Sequence, residues 1–337
     1  MIRIGVIGCG HWGPNHLRVF SSLPGSRVLM AADTDPARRQ AMSEAFPNVQ
    51  IEAHYEPLLA ATQIDAIVIA TPVSTHFEIA RNALESGKDV LCEKPLTVTA
   101  EQCQCLIEIA ERRGRVLMVG DVYLFNNGVR RVREHVQSGG LGQLLYGDSV
   151  RTNRGPIRTD VSVVRDLASH DVSMFNYLLN STPVSVNAHG MSYLQAGIHD
   201  VAFITLVYPQ KVLIQIQVSW LAAKKVRQVR LIGSDKSLEW DELATTAPIA
   251  LVEKKSLTEM YYKSFGEFQL LTRENALHSE GVAPSEPLEA EARHFLQCVR
   301  DRTTPLCDGR WALGVVKVLA EIEDKLTAAA RPAQHSG

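Results

Sequence analysis

The sequence contains no long apolar run, no block of basic residues and no signal peptide, and each absence excludes a class of protein. No apolar run reaches the roughly 18 residues of a membrane-spanning helix. Lysines and arginines number 35 against 37 acidic residues, so there is no basic patch for nucleic-acid phosphates. The amino-terminal IRIGVIGCG has the residues of a strand and lacks a cleavage site. We therefore expect a cytoplasmic protein without a membrane or nucleic-acid partner.

The six cysteines also lack the CxxC spacing that is typical of metal and redox sites. In a reducing compartment this predicts free thiols and no metal. What the chain does contain is 45% hydrophobic residues over 337 positions, which is enough for domains with proper cores.

Over the first 121 residues, short β-branched runs alternate with helical patterns. The predicted strands lie at 2–8, 27–33, 66–70, 89–93 and 116–120. Continuous apolar strands separated by helices indicate a parallel sheet with both faces covered. Beyond residue 121, strands joined by short turns indicate a mainly antiparallel sheet, followed by a loop-rich stretch at 253–287 and helices at 288–301 and 310–328.

The first strand leads into Gly8-x-Gly10-x-x-Gly13 and a helix, and Asp33 lies 20 residues beyond the last glycine. In a Rossmann fold such glycines allow a tight turn, the approach of a pyrophosphate and close helix packing. The acid accepts hydrogen bonds from the adenosine ribose. The pattern therefore predicts a dinucleotide-binding domain.

The predicted cofactor is NAD, because an acid at that position repels the 2′-phosphate of NADP. Arg38 and Arg39 leave NADP as the alternative, and His11 and Trp12 in the glycine loop are further predicted cofactor contacts. The predicted fold class is α/β. An N-terminal Rossmann domain spans 1–121, and a C-terminal α+β domain with an open, mainly antiparallel sheet spans 122–337 and serves substrate binding and oligomerisation.

The turn ATPVSTH follows the strand at 66–70 and reaches the same edge of the sheet. Ligands of open parallel sheets bind at the carboxyl ends of strands. Thr71, Pro72 and His76 are therefore predicted cofactor contacts. The alternative is an ordinary helix start that Ser74 or Thr75 caps.

The stretch VLCEKPLT ends its strand at that edge with Glu93, Lys94 and Pro95. Glu93 is expected to contact the cofactor or the backbone, and Lys94 to lie at the nicotinamide end. A cis Lys94–Pro95 bond would fix the direction of the lysine. The alternative is a surface Lys-Pro that only ends the strand.

The segment RDLASHD places Asp166 and His170 four residues apart at the start of a predicted helix. This spacing puts a carboxylate and an imidazole on one face. A carboxylate beside an imidazole fixes its tautomer and stabilises the protonated ring, as a general base requires. A structural role is the alternative for a helical histidine, and the Lys-Pro motif favours the catalytic one.

Together, GVIGCGHWG, ATPVSTH, EKPLT and the Asp-x-x-x-His segment resemble the glucose-fructose oxidoreductase and inositol dehydrogenase family. The resemblance implies that Lys94 hydrogen-bonds the reacting oxygen, that His170 is the acid/base and that Asp166 is its companion. It also implies a homodimer or homotetramer formed through the C-terminal sheet.

Within that family, the sequence is most similar to the branch that acts on nucleotide-linked sugars. This implies NAD-dependent oxidation of the 3-hydroxyl of UDP-N-acetylglucosamine, toward the 3-amino sugar of lipid A, with a downstream aminotransferase. The alternatives are reduction of a 3-keto sugar, oxidation of a free sugar or inositol, and a non-catalytic nucleotide sensor. Asp121 departs from the branch, which commonly has histidine there.

Four arginines crowd the segment ahead of the Asp-x-x-x-His helix: Arg151, Arg154, Arg158 and Arg165. Guanidinium groups suit a diphosphate because they donate paired hydrogen bonds. The predicted substrate contacts are Asn153, Arg154, Arg158 and His170. Arg165 is alternatively a local salt-bridge partner.

Overall fold

The computed structural model describes residues 1–159, 161–253 and 277–329, and the chain divides into two compact units. The first unit comprises residues 1–125 together with 285–320. The second comprises 126–284 and the residues from 321 onward. The chain thus returns to the first unit near its carboxyl end. This differs from the predicted division, which assigned everything after residue 121 to one domain.

A parallel sheet of six strands forms the centre of the first unit. In chain order its strands are β1 (Ile2–Ile7), β2 (Ser26–Ala32), β3 (Gln50–Glu52), β4 (Ala66–Ile69), β5 (Asp89–Glu93) and β6 (Leu117–Gly120). Their order across the sheet is β3-β2-β1-β4-β5-β6, and every pairing is parallel. The central strands are buried along their length, as Ile67 and Val68 at 0% exposure show. This is the strand order of a Rossmann fold, and it confirms the predicted class.

The helices follow the predicted periodicity closely. The α-helices within the described residues are α1 (Gly13–Ser22), α2 (Pro36–Ala45), α3 (Glu56–Ala60), α4 (Val73–Glu85), α5 (Ala100–Arg113), α6 (Asn127–Gln137), α7 (Ser169–Leu179), α8 (Pro287–Asp301) and α9 (Gly309–Ala329). Local sequence sets their ends. At the start of α5, Oγ1 of Thr99 accepts a hydrogen bond from the N–H of Gln102 at 3.3 Å, and Gly114 with φ +60 ends the helix.

The carboxyl-terminal segment joins the first unit through specific contacts. The rings of Phe20 on α1 and Phe295 on α8 pack edge to face with centroids 6.3 Å apart. The carbonyl of Cys307 accepts a hydrogen bond from the N–H of Val119 at 2.8 Å, beside β6. Apolar burial and an edge-strand hydrogen bond therefore explain why residues 285–320 belong to this unit.

The second unit is built on an eight-stranded sheet. Its strands are β7 (Leu144–Arg154), β8 (Ser185–Met191), β9 (Val201–Tyr208), β10 (Val212–Ser219), β11 (Leu221–Gly233), β12 (Lys236–Asp241), β13 (Ile249–Glu253) and β14 (Leu277–Glu280). Their order is β14-β13-β12-β11-β7-β10-β9-β8. Only the β7–β10 pairing is parallel among the described strands of this sheet, so the sheet is mainly antiparallel, as predicted.

One face of this sheet is buried. Alternate residues along β10 and just after it point to this face and are at most 1% exposed: Ile214, Ile216, Val218 and Trp220. Most of the stretch predicted to be loop-rich, 253–287, lies outside the described residues. Among the helices of the described ranges, none has the length and apolar content to cross a membrane.

Candidate active site

In the loop between β1 and α1, the need for glycine has a different physical reason at each of the three glycine positions. Gly8 has φ +94, and a Cβ there would lie 2.6 Å from the carbonyl oxygen of Ala70. A Cβ on Gly13 would overlap the carbonyl oxygen of Gly8. At Gly10, the nearest protein atom to a Cβ would be Nη1 of Arg38 at 3.5 Å. The protein itself therefore permits a side chain at Gly10, and the glycine fits the approach of a pyrophosphate.

The start of α1 suits an anion. Trp12 is the N-cap residue, it makes no side-chain capping hydrogen bond, and the first turn contains no acidic residue. The backbone N–H groups and the helix dipole at such an end favour phosphate. His11 and Trp12 are exposed, with ring centroids 5.7 Å apart, and their contact with the cofactor stays a prediction.

Asp33 lies directly after β2, and its side chain is 7% exposed. Its Oδ2 accepts a hydrogen bond from the N–H of Cys9 at 2.6 Å, and its Oδ1 accepts one from the N–H of Asp35 at 2.8 Å. Nη1 of Arg38 is 3.7 Å from Oδ2. The carboxylate thus fixes the glycine loop against β2 and keeps lone pairs for the ribose hydroxyls. These positions fit NAD.

The turn after β4 holds Thr71 and Pro72. Pro72 is the residue before α4, which begins at Val73, so neither Ser74 nor Thr75 is the cap. The hydroxyl of Thr75 instead donates to Oγ1 of Thr71 at 2.8 Å. Binding of the cofactor by Thr71 and Pro72 stays a prediction.

His76 on α4 is 1% exposed, which places its side chain inside the unit. Nε2 is 2.8 Å from the carbonyl oxygen of Thr71, and Nδ1 is 3.0 Å from that of Pro95. Burial lowers the pKa of His76, so the neutral ring donates to one of these carbonyls at a time. The side chain joins the turn after β4 to the turn after β5. The geometry gives His76 this supporting role, and its contact with the cofactor stays a prediction.

Glu93, the last residue of β5, has a side-chain partner that sequence reasoning missed. Its Oε1 is 2.8 Å from Nε2 of His16 on α1, and both groups are buried. His16 lies beside the buried Leu17 and Phe20 on α1, and no local pattern distinguishes it from a residue that only packs in the core. The pair connects the end of β5 to the helix that follows the glycine loop.

Lys94 follows Glu93 at the carboxyl end of the sheet and is half-buried. The Lys94–Pro95 peptide bond is cis, as proposed from the sequence. Lys94 belongs to the first unit, whereas Asp166 and His170 belong to the second.

A second carboxyl group lies near Glu93. Glu291 on α8 is 1% exposed, and neither carboxyl oxygen has a hydrogen-bond partner within the described part of the chain. Burial raises the pKa of Glu291 well above its usual range, and the charges of Glu93 and Asp121 raise it further. Asp121, after β6, accepts a hydrogen bond from Nε1 of Trp311 at 3.5 Å. Asp121 thus belongs to a buried carboxyl cluster, in which burial makes Glu291 hold its proton more strongly than an ordinary glutamate does.

Asp166 lies in a π-helical turn, Val164–Ala168, and α7 follows it at Ser169. The sequence predicts a regular helix here, and such wider turns occur often at functional sites. Oδ2 of Asp166 accepts a hydrogen bond from Nε1 of Trp220 at 3.0 Å, and Nη1 of Arg158 is 3.7 Å from Oδ1. Both of these side chains can only donate hydrogen bonds.

Two of the four arginines serve the fold. Arg151 is 3% exposed, with Nε 2.9 Å from Oδ2 of Asp171 and Nη1 3.6 Å from Oε2 of Glu242. Nη2 of Arg165 is 2.6 Å from Oε2 of Glu323, which confirms the local salt bridge considered for it. Arg151 therefore holds α7 against the sheet, and Arg165 holds the π-helical turn.

Asn153 is engaged at both ends of its amide. Nδ2 donates to the carbonyl of Gly155 at 2.5 Å, and Oδ1 accepts from Nη2 of Arg227 at 2.6 Å. The structure thus gives Asn153 a role in shaping the loop and adds Arg227, which no local sequence pattern indicates. Direct contact of Asn153 with the substrate stays a prediction. Arg154 is exposed, and its contact with substrate stays a prediction.

Two family models match consecutive parts of the chain. The model described as the oxidoreductase family with an NAD-binding Rossmann fold matches residues 2–121, and the GFO/IDH/MocA C-terminal domain matches residues 129–239. The chain belongs to the GFO/IDH/MocA family. This is the family that the EKPLT and Asp-x-x-x-His motifs resemble, so the first unit is its NAD-binding Rossmann domain.

Individual relatives in this family differ in how much of the chain they match. Inositol 2-dehydrogenase 2 of Saccharopolyspora erythraea is 30% identical over 64% of this chain and 66% of its own length. For the inositol 2-dehydrogenase of Burkholderia multivorans, the matched share of that protein is 56%. The chain therefore matches less than two thirds of the length of these relatives.

UDP-N-acetylglucosamine 3-dehydrogenase of Acidithiobacillus ferrooxidans is matched over nearly its whole length. It is 27% identical over 91% of this chain and 92% of that protein. A solved structure of the same enzyme has a TM-score of 0.83 at 24% identity and covers 97% of this chain and 98% of that one. At this identity the structural likeness shows a shared fold.

Proposed function

We propose that this protein is an NAD-dependent dehydrogenase that oxidises the 3-hydroxyl of UDP-N-acetylglucosamine to a 3-keto sugar. The proposed substrate rests on how much of the chain one relative matches. The UDP-N-acetylglucosamine 3-dehydrogenase aligns with 91% of this chain, and inositol 2-dehydrogenase 2 aligns with 64%. A match that runs through both units includes the segment with Arg154 and Arg158. Those two arginines are the proposed diphosphate contacts.

In the proposed reaction, His170 accepts the proton of the 3-hydroxyl, and Asp166 fixes the imidazole as a hydrogen-bond acceptor. NAD, when bound at the loop from Gly8 to Gly13, supplies the hydride acceptor. Lys94 donates a hydrogen bond to the reacting oxygen and offsets its developing negative charge. Positioned proton transfer contributes about 10² to 10⁴ in rate, so we expect neither Lys94 nor His170 to be dispensable.

The proposal is tested by measuring reduced nicotinamide in a panel of UDP-sugars, dTDP-sugars, free sugars and inositol with NAD. We expect turnover with UDP-N-acetylglucosamine, and UDP-glucose, which lacks the N-acetyl group, is the matched control. Turnover on another sugar, with none on UDP-N-acetylglucosamine, would contradict the substrate proposal.

Oxidation of inositol or a free sugar is the second candidate, because inositol 2-dehydrogenases are among the relatives at 30% to 32% identity. The same panel, run with reduced cofactor and 3-keto sugars, tests the reverse direction. Nucleotide-sugar binding without turnover in either direction would favour a non-catalytic sensor. The presence of Lys94, Asp166 and His170 supports the enzyme.

We also propose that the protein forms a homodimer or homotetramer through the outer face of the second sheet. Phe203, Leu213 and Tyr146 are 45%, 45% and 47% exposed. Leu213 pairs with Tyr146 and Gln217 pairs with Phe203, so these side chains share the face opposite the buried one. Exposed apolar groups among uncharged glutamines fit a second copy of the same face.

The proposed cellular setting follows from the chemistry. Oxidation of an alcohol by NAD is usually uphill, so a downstream aminotransferase that consumes the ketone is the proposed pathway partner. The cytoplasm, where nucleotide sugars and NAD are available, is the proposed location.

A further inference from the structure

We propose that Trp220 is a positioning residue that fixes the Asp166 carboxylate for its action on His170, a role that rests on the proposed dehydrogenase reaction. The indole Nε1 of Trp220 donates to Oδ2 of Asp166 at 3.0 Å, across 54 residues of sequence. The two side chains belong to the same unit, and a hydrogen bond to a charged acceptor is stronger than one between neutral groups.

The indole has little freedom to move. Trp220 is 1% exposed and follows β10 on its buried face. Its backbone N–H donates to the carbonyl of Asp200 at 3.0 Å, and its own carbonyl accepts from the N–H of Gly155 at 3.2 Å. The sheet therefore sets the direction of the indole N–H, and the carboxylate has to turn toward it.

The other donor near Asp166 differs in character. Arg158 lies 3.7 Å from Oδ1, and its side chain is 43% exposed, so solvent and salt screen its charge. An indole N–H can only donate, and it cannot be titrated at ordinary pH. Trp220 is thus a buried partner that orients the Asp166 side chain, and an oriented carboxylate supports an imidazole as general base.

The π-helical turn is held from several sides, so the backbone that carries Asp166 is fixed. The N–H of Asp166 donates to the carbonyl of Ser162 at 3.0 Å. The guanidinium of Arg165 binds Glu323 through Nε and Nη2. What remains to be set is the rotation of the Asp166 side chain, and the indole sets it.

A purely structural role for Trp220 is the competing explanation, and Trp220→Phe separates the two. Phenylalanine keeps a six-membered aromatic ring but removes the N–H donor together with the pyrrole part of the indole, so the loss of buried volume needs its own control. Trp240 on β12 is 2% exposed in the same unit, so Trp240→Phe is the matched control for loss of a buried indole. Thermal unfolding of both variants measures the structural contribution.

Kinetics then measure the positioning role. We expect Trp220→Phe to lower kcat about tenfold, the size of a hydrogen bond to a charged group, with the KM for NAD unchanged. In an Asp166→Asn background the same substitution should cause little further loss, because Trp220 acts through Asp166. Trp240→Phe should keep kcat near the wild-type value. Equal losses with and without Asp166 would overturn the proposal.

A titration that needs no substrate distinguishes failure of this proposal from failure of the proposed function. The His170 imidazole is followed by NMR against pH in the wild type and in Trp220→Phe. We expect a lower His170 pKa in the variant, since a carboxylate that turns away stabilises the imidazolium less. An unchanged or raised His170 pKa contradicts the proposal, even if the sugar panel shows no turnover.

If Trp220→Phe does not fold, the wild-type indole proton of Trp220 provides the test. Its NMR resonance should shift with the same midpoint as His170, because Asp166 accepts a hydrogen bond from the indole and, in the proposed reaction, acts on His170. The shift should disappear in Asp166→Asn. A resonance that does not respond to the His170 titration overturns the proposal.

Discussion

Replacing Glu291 by glutamine is expected to make the stability of the protein less sensitive to rising pH. Burial raises the folded-state pKa of Glu291, and the charges of Glu93 and Asp121 raise it further. In the unfolded chain the carboxyl titrates near its ordinary value of about 4.3. Above that pH the unfolded state loses the proton and the folded state keeps it, so the free energy of unfolding falls as pH rises.

The size of the effect follows from the proton that only the folded state retains. Below the folded-state pKa, each pH unit lowers the free energy of unfolding by about 1.4 kcal/mol. Between pH 5.5 and 7.5 the free energy of unfolding falls by up to about 2.7 kcal/mol. For a unit of this size, such a loss lowers Tm by about 5 to 10 °C. Glutamine has nearly the same shape and no titration, so this pH dependence disappears with it.

The assay is thermal unfolding of wild type and Glu291→Gln at several pH values in that range. The Tm of the variant relative to wild type should rise steadily with pH. Glu289→Gln removes an exposed carboxylate from the same helix and should give a difference that does not change with pH. If the Tm difference between Glu291→Gln and wild type is equally independent of pH, the assignment of the buried proton to Glu291 is falsified.

Two further predictions concern the proposed catalytic lysine, Lys94, and the outer sheet face. Lys94→Met should lower turnover at least about 100-fold and leave NAD affinity, measured by calorimetry, nearly intact; near-normal turnover would rule out its proposed role. Leu213→Lys should reduce the molar mass measured by light scattering, because it places a charge in the proposed interface, while Leu243→Lys, in the turn after β12, should not. An unchanged mass for Leu213→Lys would contradict that interface.

The parallel sheet was predictable because each of the strands β1, β2, β4, β5 and β6 contains a run of apolar residues. The strand β3 has three residues and the helix α3 has five, too few for either periodicity to show. Lys94 and His170 could be proposed as catalytic residues because each lies within a recognisable local sequence motif.

The supporting contacts were not predictable in the same way. Glu93 pairs with His16 across 77 residues, and Asp166 pairs with Trp220 across 54. Nothing local marks such partners, since each lies on an apolar face where burial alone explains a large or aromatic side chain. The π-helical turn was missed for a related reason: the sequence of RDLASHD is compatible with an ordinary helix, and tertiary contacts decide between the two.

The return of residues 285–320 to the first unit has a consequence for biosynthesis. The ribosome synthesises residues 1–125 long before Phe295 and Cys307. During that interval the nascent Rossmann unit lacks the ring that packs on Phe20 and the carbonyl that accepts from the N–H of Val119. Exposed rings and open strand edges are the features that chaperones bind and that promote aggregation. The nucleotide-binding unit is therefore completed last although it is made first, and a chain that stops before residue 285 leaves it unfinished.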